Sequence, residues 1–276
     1  MTARILPRSP LPGFGLSLGI TLAYLGALVI VPLGALLLRS ASLPLAGWAG
    51  LLADTRLRTA LGMSFGGALA AASINAVLGF VLAWVLVRYT FPGRALIDAL
   101  VDLPFALPTA VSGIALTALY SESGWFGAHL ASQGIRVAYT RLGVVVAMIF
   151  VGLPFVVRTL QPAIVDLTAE LEEAAWSLGA TRWITFRRVI FPAIFPALLT
   201  GVTMAFARAV GEYGSIVFIA GNLPFKTEIA PLLIVIKLEQ YDYAGATGLA
   251  VLMLGASFLL LLTINMLQAR TRKGVQ

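Results

Sequence analysis

Hydrophobic residues in this chain neither alternate with polar ones nor recur as a narrow stripe. They run in blocks, separated by short segments that hold nearly all of the charge. A bilayer core of about 30 Å takes about 20 apolar residues in helical form to cross. Blocks of that length lie near 14–38, 59–87, 95–120, 142–162, 192–220 and 244–267, which predicts about six transmembrane helices. Backbone polar groups in lipid must be satisfied within a helix or a closed barrel, and the blocks lack the alternation of barrel strands. The predicted fold class is therefore an all-α polytopic membrane protein. The fourth block contains Arg158, which is expected to snorkel to an interface. The third carries Asp98 and Asp102 followed by Pro104 and Pro108, and is expected to kink.

Composition narrows the function. Of 276 residues 59% are hydrophobic and 11% charged, with mean hydropathy +0.95. A soluble domain is about a quarter charged, so a free cytosolic enzyme, a disordered chain and a secreted disulfide scaffold are excluded. The absence of Cys removes disulfides, cysteine metal sites and thiol nucleophiles. A formal charge of +7 would suggest nucleic acid in a soluble protein. Here the cations are scattered and serve to anchor loops, so no nucleic acid partner is expected.

The placement of Lys and Arg sets the expected topology. Arg4, Arg8, Arg88, Arg94, Arg158, Arg182, Arg187, Arg188, Arg270, Arg272 and Lys273 fall on one side of the blocks. Arg39, Arg56, Arg58, Arg136, Arg141, Lys226 and Lys237 fall on the other. The richer side is expected to be cytoplasmic, with both termini there. That divides the chain into a cytoplasmic tail at 1–13, a transmembrane domain at 14–267 and a cytoplasmic tail at 268–276. The first block imitates a signal peptide, with Arg4 and Arg8 before it and Ser40, Ala41 and Ser42 after it. Its length exceeds the roughly 7 to 15 residues of a secretory signal, so an uncleaved span is expected.

One long polar segment, 161–191, interrupts the pattern. Asp166 or Thr168 can cap a helix whose early turns carry Glu170, Glu172 and Glu173, where the helix dipole favours negative charge. Gly179 ends that helix; Thr181 can cap a second, with Arg187 and Arg188 in its last turns and Pro192 after it. The result is a helical hairpin on the cytoplasmic face. Three roles fit: a structural interfacial hairpin, a DNA-reading helix-turn-helix, or a docking knob. Tethering by spans on both sides keeps the hairpin out of a major groove. As a knob it would offer the charge of Glu173 and, through Ala174 and Ala175, a surface small enough to enter a partner's cleft.

The run Glu173-Ala174-Ala175, three residues, Gly179, nine residues, then Val189-Ile190-Phe191-Pro192 resembles the EAA loop of bacterial ABC importer permeases. The usual ending there is Ile-x-Leu-Pro, from which Val189 and Phe191 depart conservatively. In that family the loop forms the coupling helix seated in a groove of a cytoplasmic ATPase. The resemblance assigns the coupling loop to 163–191 and ATPase coupling to Glu173, Ala174, Ala175, Gly179 and Pro192. Further stretches at 150–159, 206–214 and 234–246 are similar to the T-type permease subunit of sulfate/thiosulfate importers, and 221–231 favours T-type over W-type or molybdate permeases.

The resemblance implies a type I (MetI-like) permease fold in the bacterial inner (cytoplasmic) membrane and a non-catalytic translocation subunit working by alternating access. It implies as partners a W-type second permease, an ABC ATPase dimer and a periplasmic sulfate/thiosulfate-binding protein, with membrane lipid around them. No cofactor is expected on this chain; ATP and Mg are used by the ATPase. The sequence contains no G-x-x-x-x-G-K-[ST] run of its own.

Polar residues inside the blocks are the other candidates. Arg208 and Glu212, four apart, share a helix face. Either they neutralise one another, or Arg208 faces a water-filled pathway and helps a dianion pass, a gate that Gly211 and Gly214 would assist by letting the helix unwind and expose N–H groups. Asp98 and Asp102 could form the proton relay of an ion-coupled secondary carrier, or simply reach water or Arg94. His129 is expected to be solvated rather than a metal ligand. The external segment 239–243 suits either contact with a binding protein or an interfacial aromatic belt.

Overall fold

The computed structural model describes residues 13–273, all helix and connecting loop with no strand among them. In chain order the helices are α1 (Phe14–Ala41), α2 (Leu45–Ala53), α3 (Thr55–Arg88), α4 (Arg94–Val101), α5 (Leu103–Ala106), α6 (Thr109–Tyr120), α7 (Trp125–Ser132), α8 (Arg141–Val165), α9 (Ala169–Ser177), α10 (Arg182–Val210), α11 (Gly214–Ala220), α12 (Ala230–Glu239) and α13 (Tyr243–Lys273). Of these, α1, α3, α8, α10 and α13 are long and apolar enough to cross a membrane. Arg4 and Arg8 of the signal-like start lie outside the described residues, as do 274–276. The backbone of 268–273, expected as tail, continues α13.

The third predicted span is not one helix. Asp102 ends α4, Leu107 is extended ahead of Pro108, and α6 starts afresh at Thr109. The cause is the two prolines: each lacks an N–H, and each disfavours helical backbone in the residue before it. The fifth predicted span also differs at both ends. Its helix begins at Arg182 and stops at Val210, and α11 is a separate short helix. The second arm of the hairpin therefore does not end before Pro192. A π turn at Phe186–Ile190 joins it to the span without a break. Pro192 cannot donate to Arg188, and the wider turn ahead of it accommodates that loss.

The centre of the molecule is α3, α8 and α10. Small residues let their backbones close up: a Cβ on Gly79 would lie 2.7 Å from Val156 Cγ1, and one on Gly201 would lie 2.9 Å from Val156 Cα. Leu86, Val156, Val157, Leu160, Ile190 and Ile194 fill the contact toward the hairpin end. Toward the other end, Val144, Met148 and Phe206 pack with Ile216 and Ile219 of α11. Without water to drive association, close van der Waals packing of this kind is what holds membrane helices together. Against the core, α1 is peripheral and buries none of its apolar window within the chain. It leans on α13, where the Arg39 guanidinium lies 5.5 Å above the Tyr243 ring.

Candidate functional site

Of the two expected caps, Thr168 occupies the N-cap position of α9 but its side chain makes no capping bond, whereas the Thr181 hydroxyl accepts the Ile184 N–H at the start of α10. Between them Gly179 adopts φ +80°, its N–H bonds the Trp176 carbonyl at 2.9 Å, and the Ala180 N–H bonds the Ala175 carbonyl at 3.0 Å. That pair of bonds is the Schellman closure, which needs a left-handed residue at the glycine position. Glu173, Ala174 and Gly179 are exposed, and Leu178 at the apex is 89% exposed. Ala175 corrects the expectation: it is buried, facing into the hairpin rather than outward. The small-residue docking face is thus carried by Ala174, and Ala175 is small because the arms meet there. Pro192 lies within the helix past the π turn, away from the apex.

The hairpin is bolted to the end of α3. Arg88 pairs with Glu172 and lies 5.1 Å above the Trp84 ring. Trp84 sets its edge against Phe186 at 6.0 Å, and Trp183 stacks on Phe186 at 5.8 Å.

Arg208 and Glu212 do pair. Glu212 is 1% exposed and spends its other oxygen on α11: Glu212 Oε1 accepts the Ser215 N–H at 2.9 Å and the Ser215 hydroxyl at 2.8 Å. Charge at a helix start is favoured both by the dipole and by the free N–H groups there. The Ser215 N–H is therefore not free to meet an anion, which corrects that part of the expectation. Arg208, by contrast, leaves 34% of its side chain exposed. The helix does break at Gly211, as expected, though Gly211 keeps φ −89° and so takes no left-handed turn. Gly214 serves close approach instead: a Cβ there would collide with Thr109, and one on Gly113 would collide with the Ser215 backbone. Two half-helices, α6 and α11, are thereby locked backbone to backbone beside Arg208.

A third cluster escaped the sequence pattern. Arg158 is paired rather than alone: it donates to Asp102 at 2.8 and 2.6 Å, to Asp98 Oδ1 at 2.7 Å and to Gln161 at 2.6 Å. Both carboxylates proposed for a proton relay are thus held by one guanidinium that joins α4 to α8. The signal was available: an unpaired cation in one apolar block and an unpaired acidic pair in another invite each other. His129 is exposed and lies 3.1 Å from Gln133. In the 239–243 segment Lys237 bonds Asp242 at 2.9 Å and, with the Gly245 N–H, holds its carboxyl below the usual range. Tyr241 and Tyr243 remain exposed beside it.

The described residues form a helical bundle with membrane-length helices, a helical hairpin bolted to one end and two broken half-helices packed against its core. The similarities to known proteins make this particular. Residues 75–275 match the model of the family described as binding-protein-dependent transport system inner membrane component. The chain belongs to that family. It is 52% identical over 254 residues to the sulfate transport system permease protein CysT of Synechocystis sp., covering 92% of this chain and 89% of that one. To the protein of the same name from Escherichia coli (strain K12) it is 46% identical over 268 residues, covering 97% of each. Among solved structures, a chain of a bacterial alginate ABC transporter in complex with an alginate pentasaccharide-bound periplasmic protein superimposes with TM-score 0.76 over 93% of both chains, at 18% identity. That likeness shows the permease fold. The protein is accordingly an inner-membrane component.

Proposed function

We propose that this chain is the T-type transmembrane subunit of an ATP-driven importer for sulfate and thiosulfate. The observation that carries the reading is identity of 46 to 52% with sulfate permeases along nearly the whole chain. In this reading Glu173, Ala174 and Gly179 present the hairpin to a separate ATPase, which uses ATP and Mg. A W-type permease completes the translocation unit, and a periplasmic binding protein delivers the anion. ATP-driven closure of the ATPase pair displaces the hairpins, the permease pair opens outward, and hydrolysis resets it inward. Arg208 offers a half-exposed cation to the passing dianion. Asp98 and Asp102 are neutralised by Arg158, which disfavours them as the relay of an ion-coupled carrier.

Co-expression with candidate partners is expected to recover the chain with an ATPase and a second permease. Transport that persists without any ATPase, driven by an ion gradient, would refute the reading.

Topology gives a separate test, because the chain has no native Cys. With the hairpin and both termini cytoplasmic, Ser132→Cys is expected to react with an impermeant thiol reagent from outside and Ser177→Cys to stay unlabelled in intact cells. The reverse pattern would invert the orientation.

A further inference from the structure

We infer that α3 is a strut clamped at both ends, carrying displacement of the hairpin across the membrane to the loop at 221–229 and through it to the Arg208–Glu212 site. The inference rests on the reading of the hairpin as the ATPase-docking element. It assigns Arg88, Arg56 and Glu228 as positioning residues for transport.

Stiffness is the first ground. α3 runs 34 residues, about 51 Å at about 1.5 Å per residue, with neither proline nor π turn; of its four glycines, Gly67 and Gly79 are packed closely against Met148 and Val156 of α8. Its two core partners are interrupted: α8 contains Pro154 and Pro162, and α10 contains the π turn and Pro196. Such interruptions are where helices bend.

The clamps are the second ground. At the hairpin end Arg88 holds Glu172, with Trp84 and Phe186 beneath. At the other end Arg56 Nε and Nη2 reach the two oxygens of Glu228 at 2.8 and 2.6 Å, and Glu228 is 2% exposed. A two-pronged, charge-assisted bond of this kind fixes orientation as well as distance. Two turns along α3, the buried Ser64 hydroxyl accepts the Ala230 N–H at 2.8 Å. It caps α12 in place of Ile229, whose side chain has no acceptor.

From the loop the contacts continue inward. The Thr227 hydroxyl donates to the Ala220 carbonyl at 2.7 Å and accepts the Leu223 N–H at 3.0 Å, closing the loop onto the end of α11. The start of α11 is capped by Glu212, which holds Arg208. A displacement entering at Glu172 therefore has an unbroken path of short polar contacts and one stiff helix to the candidate gate. The three links that tie α3 to the rest, Arg88–Glu172, Arg56–Glu228 and Ser64–Ala230, are invisible in the hydrophobic pattern, because each joins residues 84 to 172 apart in the chain.

The experiment uses the complete complex in vesicles, with Phe225→Cys as a reporter on the exposed loop. Arg88→Gln and Glu228→Gln each replace a charged clamp with a neutral one. The readouts are yield of assembled complex, ATP hydrolysis, sulfate carried per ATP, and the change in Phe225→Cys labelling rate on ATP binding. Both variants are expected to assemble and hydrolyse ATP. Their labelling response and sulfate per ATP are expected to fall about threefold or more, the scale of trading a charge-assisted for a neutral hydrogen bond. An undiminished response in both would overturn the strut. So would a parallel fall in assembly, hydrolysis and uptake with sulfate per ATP unchanged, which would make the clamps structural braces. A complex whose loop responds to ATP, and loses that response in the variants, yet carries no sulfate would refute the substrate reading while leaving the strut standing.

Discussion

Gly179→Val is expected to cut ATP-driven uptake by about tenfold while the protein stays in the membrane. The residue adopts φ +80°, and nothing lies within 4 Å of a Cβ built there. The effect therefore comes from the backbone, not from a clash. Left-handed backbone costs an L-residue about 1–2 kcal/mol, most for a β-branched one. That is enough to shift the turn population by about tenfold, and the two Schellman bonds at Gly179 and Ala180 depend on the turn. Glu173→Lys supplies the complementary arm. Glu173 is exposed and takes part in no ion pair among the described residues, so reversing its charge leaves the hairpin's own fold intact and alters only the surface offered to a partner. Uptake and ATPase retention should fall together in both variants. Wild-type uptake in both would sink the docking assignment.

The second large effect belongs to Arg208. Arg208→Leu leaves Glu212 buried without its cation, a loss of about 3–5 kcal/mol for a buried pair, and complex yield should drop. Replacing both partners separates neutralisation from transport. Glu212→Leu is the wrong partner, because it also uncaps α11; Glu212→Gln keeps an oxygen for the Ser215 N–H and hydroxyl. Arg208→Gln with Glu212→Gln is expected to restore assembly and ATP hydrolysis but to leave sulfate uptake about tenfold low, since a half-exposed cation is missing from the path of a dianion. Full recovery of uptake would reduce the pair to an internal ion pair.

Most of the bundle was legible because long apolar blocks have few alternatives to membrane helices. The hairpin was legible for a different reason: Thr181 and Gly179 act on their own immediate backbone, so their residue types predict the geometry. Pro104 and Pro108 announced a kink, but whether two prolines bend a helix or split it into α4, α5 and α6 depends on what packs against the pieces, here Arg158 on one side and α11 on the other. The π turn ahead of Pro192 was illegible, since it is a compromise between a missing N–H and the continuity of α10. Ala175 was read as surface because a small residue suits both a docking face and a tight internal contact. The acidic partners of Arg56, Arg88 and Arg158 lie 56 to 172 residues away. Local periodicity carries no information about such pairings, although the need to neutralise each charge does. Of the gate, the Arg208–Glu212 spacing predicted the pair; the cap on α11 required knowing that the helix breaks between them and Ser215.

The most direct measurement of the central claim is radiolabelled sulfate uptake into vesicles that hold this chain, a W-type permease and the ATPase, with the binding protein outside and ATP with Mg supplied on the hairpin side. Uptake that requires ATP and the binding protein, and that falls about tenfold with Gly179→Val, is the predicted result. Sulfate uptake that proceeds without the ATPase, under an ion gradient alone, would contradict it.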